Sequence, residues 1–114
     1  MQFSPDLCDL ILRRKKTVTR RRMKWGGWCG CSEMPCRYEV GKTYAIQPGR
    51  GKKAVGRIRV ISVDRQKLGR PTMLEARLEG FLNPHLFVAK WLDLYGKYDV
   101  DQIVDRIEFE LVQP

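Results

Sequence analysis

Two threonines and two lysines lie within a dense run of cations in the stretch RRKKTVTRRR, which extends from Arg13 to Arg22. A threonine hydroxyl is a poor nucleophile at neutral pH and requires a neighbouring base. A lysine amine is such a base only when desolvation or nearby positive charge lowers its pKa. The stretch therefore has two interpretations. It is either a solvated basic arm that holds a polyanion, or a reaction centre in which Lys16 activates Thr19 while the arginines capture the substrate.

The local geometry of this stretch constrains the second interpretation. Thr17, Val18 and Thr19 favour an extended strand, because β-branched residues pack well on a pleated surface. On an ideal strand Lys16 and Thr19 point to opposite faces, since only alternate side chains share a face. A direct hydrogen bond between the two side chains therefore requires a bulge or a turn.

The positive charge of the chain is concentrated in its first half. The 114 residues carry a net charge of +9, but residues 1–59 hold 15 Lys and Arg against four Asp and Glu. Such asymmetry predicts a basic face that attracts phosphates, and therefore RNA or a nucleoside derivative as a partner. The length suits a single domain over residues 1–114. No segment resembles a signal peptide or a membrane span, which predicts a cytoplasmic protein without a membrane partner.

Aromatic residues alternate with cations in this basic half. Aromatic faces stack on unpaired bases and arginines hold the backbone in single-strand recognition. Trp25 and Trp28, in a glycine-rich segment, are the better stacking candidates, whereas Trp91 is expected in the core. The predicted RNA- or substrate-binding residues are Lys15, Thr17, Arg20, Arg21, Trp25, Trp28, Arg50, Lys52, Lys53 and Arg57.

Three cysteines lie close together in the segment WCGCSEMPCRYEV. Their C-x-C-x4-C spacing supplies three thiolates, Cys29, Cys31 and Cys36, and either Cys8 or His85 would complete a zinc site. The usual pair of C-x2-C motifs is absent, so free thiols in a loop are the alternative and no cofactor is expected. A zinc-stabilised adaptor remains a third possible function.

The elements that position these residues follow from periodicity and turn signals. Ser4 and Pro5 predict the start of a short helix that runs into the cationic stretch. A long irregular loop follows, and then the strands TYAIQ and GRIRVISV form a hairpin around the basic turn PGRGKK. MLEARLEGF and HLFVAKWLDLYGK predict two helices, each ended by a glycine. DRIEFELV alternates strictly and predicts a half-buried strand, so strands from distant parts of the chain must pair.

This order of motifs resembles the ASCH domain family, over about residues 10–112. The resemblance rests on KKTVTRR, the hairpin, EARLEGF, the helix that bears Trp91 and the closing RIEFELV. It implies an α+β fold, a PUA-like small β-barrel with flanking short helices. The sharpest family motif is Gly-x-Lys-x-x-Thr-x-Arg, whose last three positions match Lys16, Thr19 and Arg21. Arg14 stands where the family usually has glycine.

The resemblance also implies a function. The PUA-like relationship implies RNA as a partner, and some ASCH proteins are amidohydrolases that remove the acetyl group of N4-acetylcytidine, while ribonuclease activity is also attributed to the family. A lysine, a threonine and a glutamate act in the amidohydrolases. These map to Lys16, Thr19 and Glu79, with Glu75 as the alternative glutamate. We therefore expect an RNA- or modified-nucleoside-binding domain whose basic cleft is centred on KKTVTRR. The alternative is a hydrolase, either amidohydrolase-like or a ribonuclease, that uses Lys16, Thr19 and Glu79.

Overall fold

A computed structural model describes residues 1–22 and 37–113 of the chain. The helices and strands expected from the sequence are present in these residues. Their bounds, in chain order, are α1 Pro5–Leu12, β1 Val18–Arg22, β2 Thr43–Ile46, β3 Gly56–Lys67, α2 Met73–Leu78, α3 Pro84–Tyr95 and β4 Ile103–Gln113. None of the helices in this described part is both long and apolar enough to cross a membrane.

Side chains at the helix ends explain where the helices begin and stop. The Ser4 hydroxyl accepts a hydrogen bond from the Leu7 backbone N–H at the start of α1, and Pro5 occupies the first helical position. Asn83 caps α3 in the same way. Gly96 ends α3 with φ +81°, a left-handed conformation that glycine adopts without a Cβ clash. These are local signals, so the sequence alone predicts them.

The four strands form one antiparallel sheet in the order β1-β4-β3-β2. The first and last strands of the chain are neighbours, with Thr19 opposite Ile107, which confirms that strands from distant parts of the chain pair. The α+β class is confirmed, but the sheet formed by the described residues is open rather than a closed barrel. Gln2 makes an isolated parallel bridge with Gln47 next to β2, and the Arg21 guanidinium of β1 donates to the Gln2 carbonyl at 2.7 Å. The N-terminal residues thus make contacts near both edges of the open sheet.

Two hydrophobic cores lie along the sheet. The first core, beneath α1, consists of Phe3, Cys8, Ile11, Ile46, Ile58 and Phe109. The second core, beneath α3, consists of Leu68, Phe87, Trp91 and Val104. Trp91 is therefore a core residue, as expected. Because β4 contributes Phe109 to the first core and Val104 to the second, it fixes the positions of α1 and α3 relative to each other.

Candidate functional site

The turn after α1 delivers Lys16 into the interior. The backbone N–H groups of Lys15 and Lys16 both donate to the Leu10 carbonyl, at 2.9 and 3.2 Å. Arg14 adopts φ +62°, the left-handed conformation that favours glycine, at the position where the ASCH motif has glycine. Lys16 precedes the first residue of β1, so strand alternation does not place it opposite Thr19. Both side chains are buried instead, with 2% and 5% exposed.

The Lys16 ammonium is held by backbone carbonyls. Its Nζ donates to the Val18 carbonyl at 2.8 Å and to the Glu79 carbonyl at 2.7 Å, and lies 3.8 Å from Glu79 Oε1. Burial lowers the pKa of Lys16 to about 8, with a smaller contribution in the same direction from Arg21 and Arg20, while Glu79 opposes the shift. The pKa of Lys16 is therefore shifted in the direction that a lysine base requires, and desolvation is the main cause.

The end of α2 brings Glu79 to this lysine. The Thr17 backbone N–H donates to the Leu78 carbonyl at 2.9 Å, which ties the start of β1 to the last turn of α2. Gly80 follows with φ +97°, and a Cβ at this position would lie 3.1 Å from Leu10 Cδ1 and 3.3 Å from Leu7 Cδ2. Glycine therefore avoids both the strain of this positive φ and the crowding against the leucine side chains of α1.

Arg20 fixes the Glu79 carboxylate with both its backbone and its side chain. Its N–H donates to Oε1 at 3.1 Å, and Nη1 donates to Oε2 at 2.7 Å. Only 5% of each side chain is exposed, so this is a buried ion pair. Charge-assisted hydrogen bonds of this length hold a carboxylate in a defined orientation. Glu79 is thus immobilised beside Lys16.

A second carboxylate compensates a repulsion between strands. Arg20 of β1 and Arg106 of β4 are direct cross-strand partners, and like charges in such a position destabilise a sheet. Glu75 accepts from Arg20 Nη2 at 3.1 Å and from Arg106 at 2.8 and 3.0 Å. The hydrogen bond from Arg106 lowers the pKa of Glu75. We call the set Lys16, Arg20, Glu75, Glu79 and Arg106 the ionic cluster.

The ionic cluster borders a cavity of about 380 Å³ that lies between the two cores. Its charged and hydroxyl-bearing lining includes Ser4, Lys16, Thr19, Arg20, Arg21, Glu79 and Lys90. Its aromatic walls are Phe3, Phe81, Phe87, Trp91 and Tyr95. The pocket thus combines a fixed carboxylate, several cations and apolar ring faces.

The predicted binding residues are divided between the pocket lining, which includes Arg20 and Arg21, and other parts of the surface. Lys15 is exposed and Thr17 is half-buried, while the Arg20 guanidinium is committed to two carboxylates. The β2–β3 hairpin exposes a group of cations that we call the basic hairpin: Arg50, Lys52, Lys53 and Arg57. Pro48 and Gly49 of the same hairpin line the pocket, so the two features adjoin. Trp25 and Trp28 lie outside the described residues.

The three cysteines on which the zinc hypothesis rests, Cys29, Cys31 and Cys36, lie outside the described residues. Cys8 is buried in the first core, with its thiol 3.9 Å from the Phe3 carbonyl, and His85 is exposed. Residues 1–22 and 37–113 contain no group of three or more His, Cys, Asp or Glu side chains arranged to hold a metal ion.

The aromatic walls of the pocket were not predicted as site residues. Phe87, Trp91 and Tyr95 occur at every fourth position of α3, which places them on one helix face. That spacing is visible in the sequence, but it equally predicts a core-facing stripe. The structure shows that the stripe serves both purposes, because Trp91 belongs to the second core and also lines the pocket.

Comparison with known proteins supports one fold. No protein-family model matches the sequence, and no curated protein matches it. An ASCH domain from Lactobacillus crispatus JV V101 superimposes with a TM-score of 0.73 at 19% identity, over 95% of this chain and 71% of its own chain. The chain has the ASCH fold. The resemblance predicted from the order of motifs is therefore confirmed for the fold.

Two further solved structures share the ASCH fold. A DUF984 protein from Enterococcus faecalis V583 has a TM-score of 0.65 at 19% identity, over 94% of this chain and 67% of its own. A mutant ASCH protein from Zymomonas mobilis has a TM-score of 0.61 at 15% identity, over 100% of this chain and 70% of its own. At such identities the likeness concerns architecture alone, so the function must be argued from the site.

Proposed function

We propose that this ASCH-fold chain binds RNA or a modified nucleoside, with one base in the pocket and the backbone on the basic hairpin. The observation that carries the proposal is the Glu79 carboxylate, which Arg20 holds at the wall of a cavity with aromatic sides. Each Glu79 oxygen accepts one bond from Arg20, and an ionised carboxylate has about four acceptor sites in all. Acceptor capacity therefore remains for a ligand.

The chemistry of the pocket suits a nucleobase. A carboxylate accepts a hydrogen bond from an exocyclic amine such as N4 of cytosine. Phe87 and Trp91 are buried and stack on each other. The rings of Phe81 and Tyr95, in contrast, are half-buried in the pocket lining and offer apolar contact to any base. The cavity of about 380 Å³ also falls within the size range of small-molecule sites.

The basic hairpin extends the same site towards a longer strand. Its cations are exposed and therefore available to phosphates, and the hairpin itself forms part of the pocket rim through Pro48 and Gly49. Neutralising phosphates with such cations releases counterions, which makes affinity fall steeply with salt. A base in the pocket would thus add affinity through hydrogen bonding and aromatic contact, whereas a backbone on the hairpin would add affinity through salt-dependent electrostatics.

Fluorescence anisotropy with a short single-stranded RNA at several salt concentrations tests this proposal. Lys52→Gln combined with Lys53→Gln should weaken binding and reduce the salt dependence, because two phosphate contacts are lost. Lys67→Gln is the control, since Lys67 is exposed at the far end of β3 and pairs with Asp101. Equal effects of the hairpin and control changes, or no RNA binding by the wild type, would refute the proposal.

A second candidate function is amide hydrolysis, which one observation favours: a lysine with a pKa of about 8 lines the same pocket as Thr19. In this candidate, neutral Lys16 removes the Thr19 hydroxyl proton and Oγ1 bonds to the acetyl carbon of N4-acetylcytidine. The C–N bond breaks as Glu79 passes that proton from Lys16 to N4, and cytidine leaves. Water then hydrolyses the acetyl ester on Thr19 and releases acetate.

Chromatographic detection of cytidine from N4-acetylcytidine tests the second candidate. Thr19→Val keeps the shape of the side chain and removes the hydroxyl, so it should abolish release, and Lys16→Met should do the same. Circular dichroism of both variants verifies that they fold. Absence of cytidine with the wild-type protein would exclude this amidohydrolase and leave the binding function in place.

A further inference from the structure

The charges that line the pocket do not balance. Lys16, Arg20, Arg21 and Lys90 line it as cations, whereas Glu79 is the acidic residue among the described lining residues. The Arg20–Glu79 ion pair removes one charge of each sign. Lys16 donates its hydrogen bonds to neutral carbonyls. Arg21 and Lys90 therefore add positive charge that nothing on the pocket wall offsets.

Arg21 has donor capacity to spare. Its guanidinium lies 4.7 Å from the centre of the Phe3 ring, and its Nη2 donates to the uncharged Gln2 carbonyl. Its Nε is buried and has no hydrogen-bond partner among the described residues. A buried donor without a partner is costly, and an acceptor on a bound ligand would satisfy it.

Two residues of α3 show the same pattern. Lys90 is half-buried at the pocket and makes no ion pair within the described parts of the chain. The next residue, Trp91, is 4% exposed, and its indole N–H is, like Arg20 Nε, another buried donor that lacks a partner in residues 1–22 and 37–113. Residues with unpaired cations and spare donors thus line one cavity, from β1 and from α3. An anion with several acceptor oxygens would both neutralise the unpaired positive charge and accept hydrogen bonds from the spare donors.

We propose that the pocket binds a phosphorylated nucleoside, and that Arg21 and Lys90 hold its phosphate. This inference rests on the proposed function, because the base is placed by Glu79 and the aromatic walls. A planar guanidinium offers two parallel donors to phosphate, and a lysine adds a point charge. A free mononucleotide and the phosphorylated end of an RNA strand present the same chemistry.

Calorimetric titration of the wild-type protein with cytidine and with cytidine monophosphate tests the inference. We expect the monophosphate to bind roughly tenfold to a hundredfold more tightly than cytidine, as charge-assisted hydrogen bonds are worth about 1.5–3 kcal/mol each. Inorganic phosphate should compete with the monophosphate. Oligonucleotides with and without a terminal phosphate then separate the two sources, since only the phosphorylated end should gain the added affinity if RNA is the ligand.

Substitutions assign the phosphate to its residues. Lys90→Gln and Arg21→Gln should each reduce the affinity for cytidine monophosphate about tenfold, and the affinity for cytidine by much less. Lys97→Gln is the matched control, because Lys97 is an exposed lysine just beyond the end of the same helix. Equal affinity of the wild type for cytidine and its monophosphate would overturn the phosphate site alone. Failure of the protein to bind cytidine, its monophosphate or RNA would overturn the proposed function as well.

Discussion

The ionic cluster and the basic hairpin both contain arginine and lysine side chains, but these side chains differ in what surrounds them. In the cluster, Arg20 is 5% exposed and its guanidinium binds two carboxylates, so its charge is used within the fold. In the hairpin, Arg50, Lys52 and Lys53 are exposed to solvent. Removing one partner of a buried pair is costly, whereas an exposed charge contributes little to stability. Net charge alone therefore does not show which cations position a site and which are free to bind a ligand.

The largest difference between the two regions should follow from removing Glu79. Glu79→Ala should lower the free energy of unfolding by about 3–5 kcal/mol, because Lys16 would remain buried without a carboxylate beside it and Arg20 would lose one of its two. Urea denaturation measures the change. Glu110→Ala is the control: Glu110 pairs with Arg59 at 3.4 Å, both side chains are about half exposed, and the loss should stay within about 1 kcal/mol. Similar losses of unfolding free energy in the two variants would contradict the distinction between buried and exposed charges.

The buried lysine should make stability depend on pH in a specific window. Its pKa is about 8 in the fold and 10.5 as the ordinary value, so between these values the unfolded chain binds the extra proton. Stability relative to Lys16→Met should therefore rise with pH across this window, by up to about 1.4 kcal/mol per pH unit. Denaturation of both proteins at several pH values measures the difference, in which other titrating groups cancel. A flat difference would show that Lys16 keeps its ordinary pKa.

The turn that delivers Lys16 into the cluster should be improved by glycine. Arg14 is exposed and adopts φ +62°, so Arg14→Gly should stabilise the fold by about 0.5–1 kcal/mol through relief of backbone strain. Arg13→Gly is the matched control, because Arg13 has φ −86° and glycine there should destabilise by a similar amount. A shift of the urea midpoint in the same direction for both variants would exclude the strain argument.

The smallest effect on stability should come from the basic hairpin. The combined change of Lys52→Gln and Lys53→Gln should alter the free energy of unfolding by less than about 0.5 kcal/mol, because both side chains are exposed. The same variant should still lose RNA affinity in the anisotropy experiment. If its stability instead fell as far as that of Glu79→Ala, the hairpin cations would be part of the folded framework.

Residue periodicity in the sequence predicts the helices and strands, and the resemblance to the ASCH family predicts part of the pocket. The alternation in β3 correctly places Ile58 and Val60 inside and Arg57 and Arg59 outside. The motif led to Lys16 and Thr19, which do line one pocket. Strand alternation misled for Lys16, because β1 begins only at Val18 and the lysine lies in the preceding turn.

Contacts between distant segments were beyond the reach of local pattern. The pairing of Arg20 with Glu75 and Glu79 could not be predicted from neighbouring residues in the sequence. These side chains meet only when α2 packs on β1. The aromatic stripe of α3 predicts that these side chains are buried. Periodicity alone does not show whether they face a hydrophobic core or line a pocket. The residues that hold the ionic cluster together and those that shape the cavity thus emerge only from tertiary packing.

Mapping amide chemical shifts during titration with a short single-stranded RNA is the most direct test of the central claim, that the pocket beside the ionic cluster receives a nucleoside. We expect the largest changes at Thr19, Arg20 and Gly80 and at the Trp91 indole N–H, with smaller changes along the basic hairpin. Changes confined to the hairpin, or no changes at saturating RNA, would contradict it.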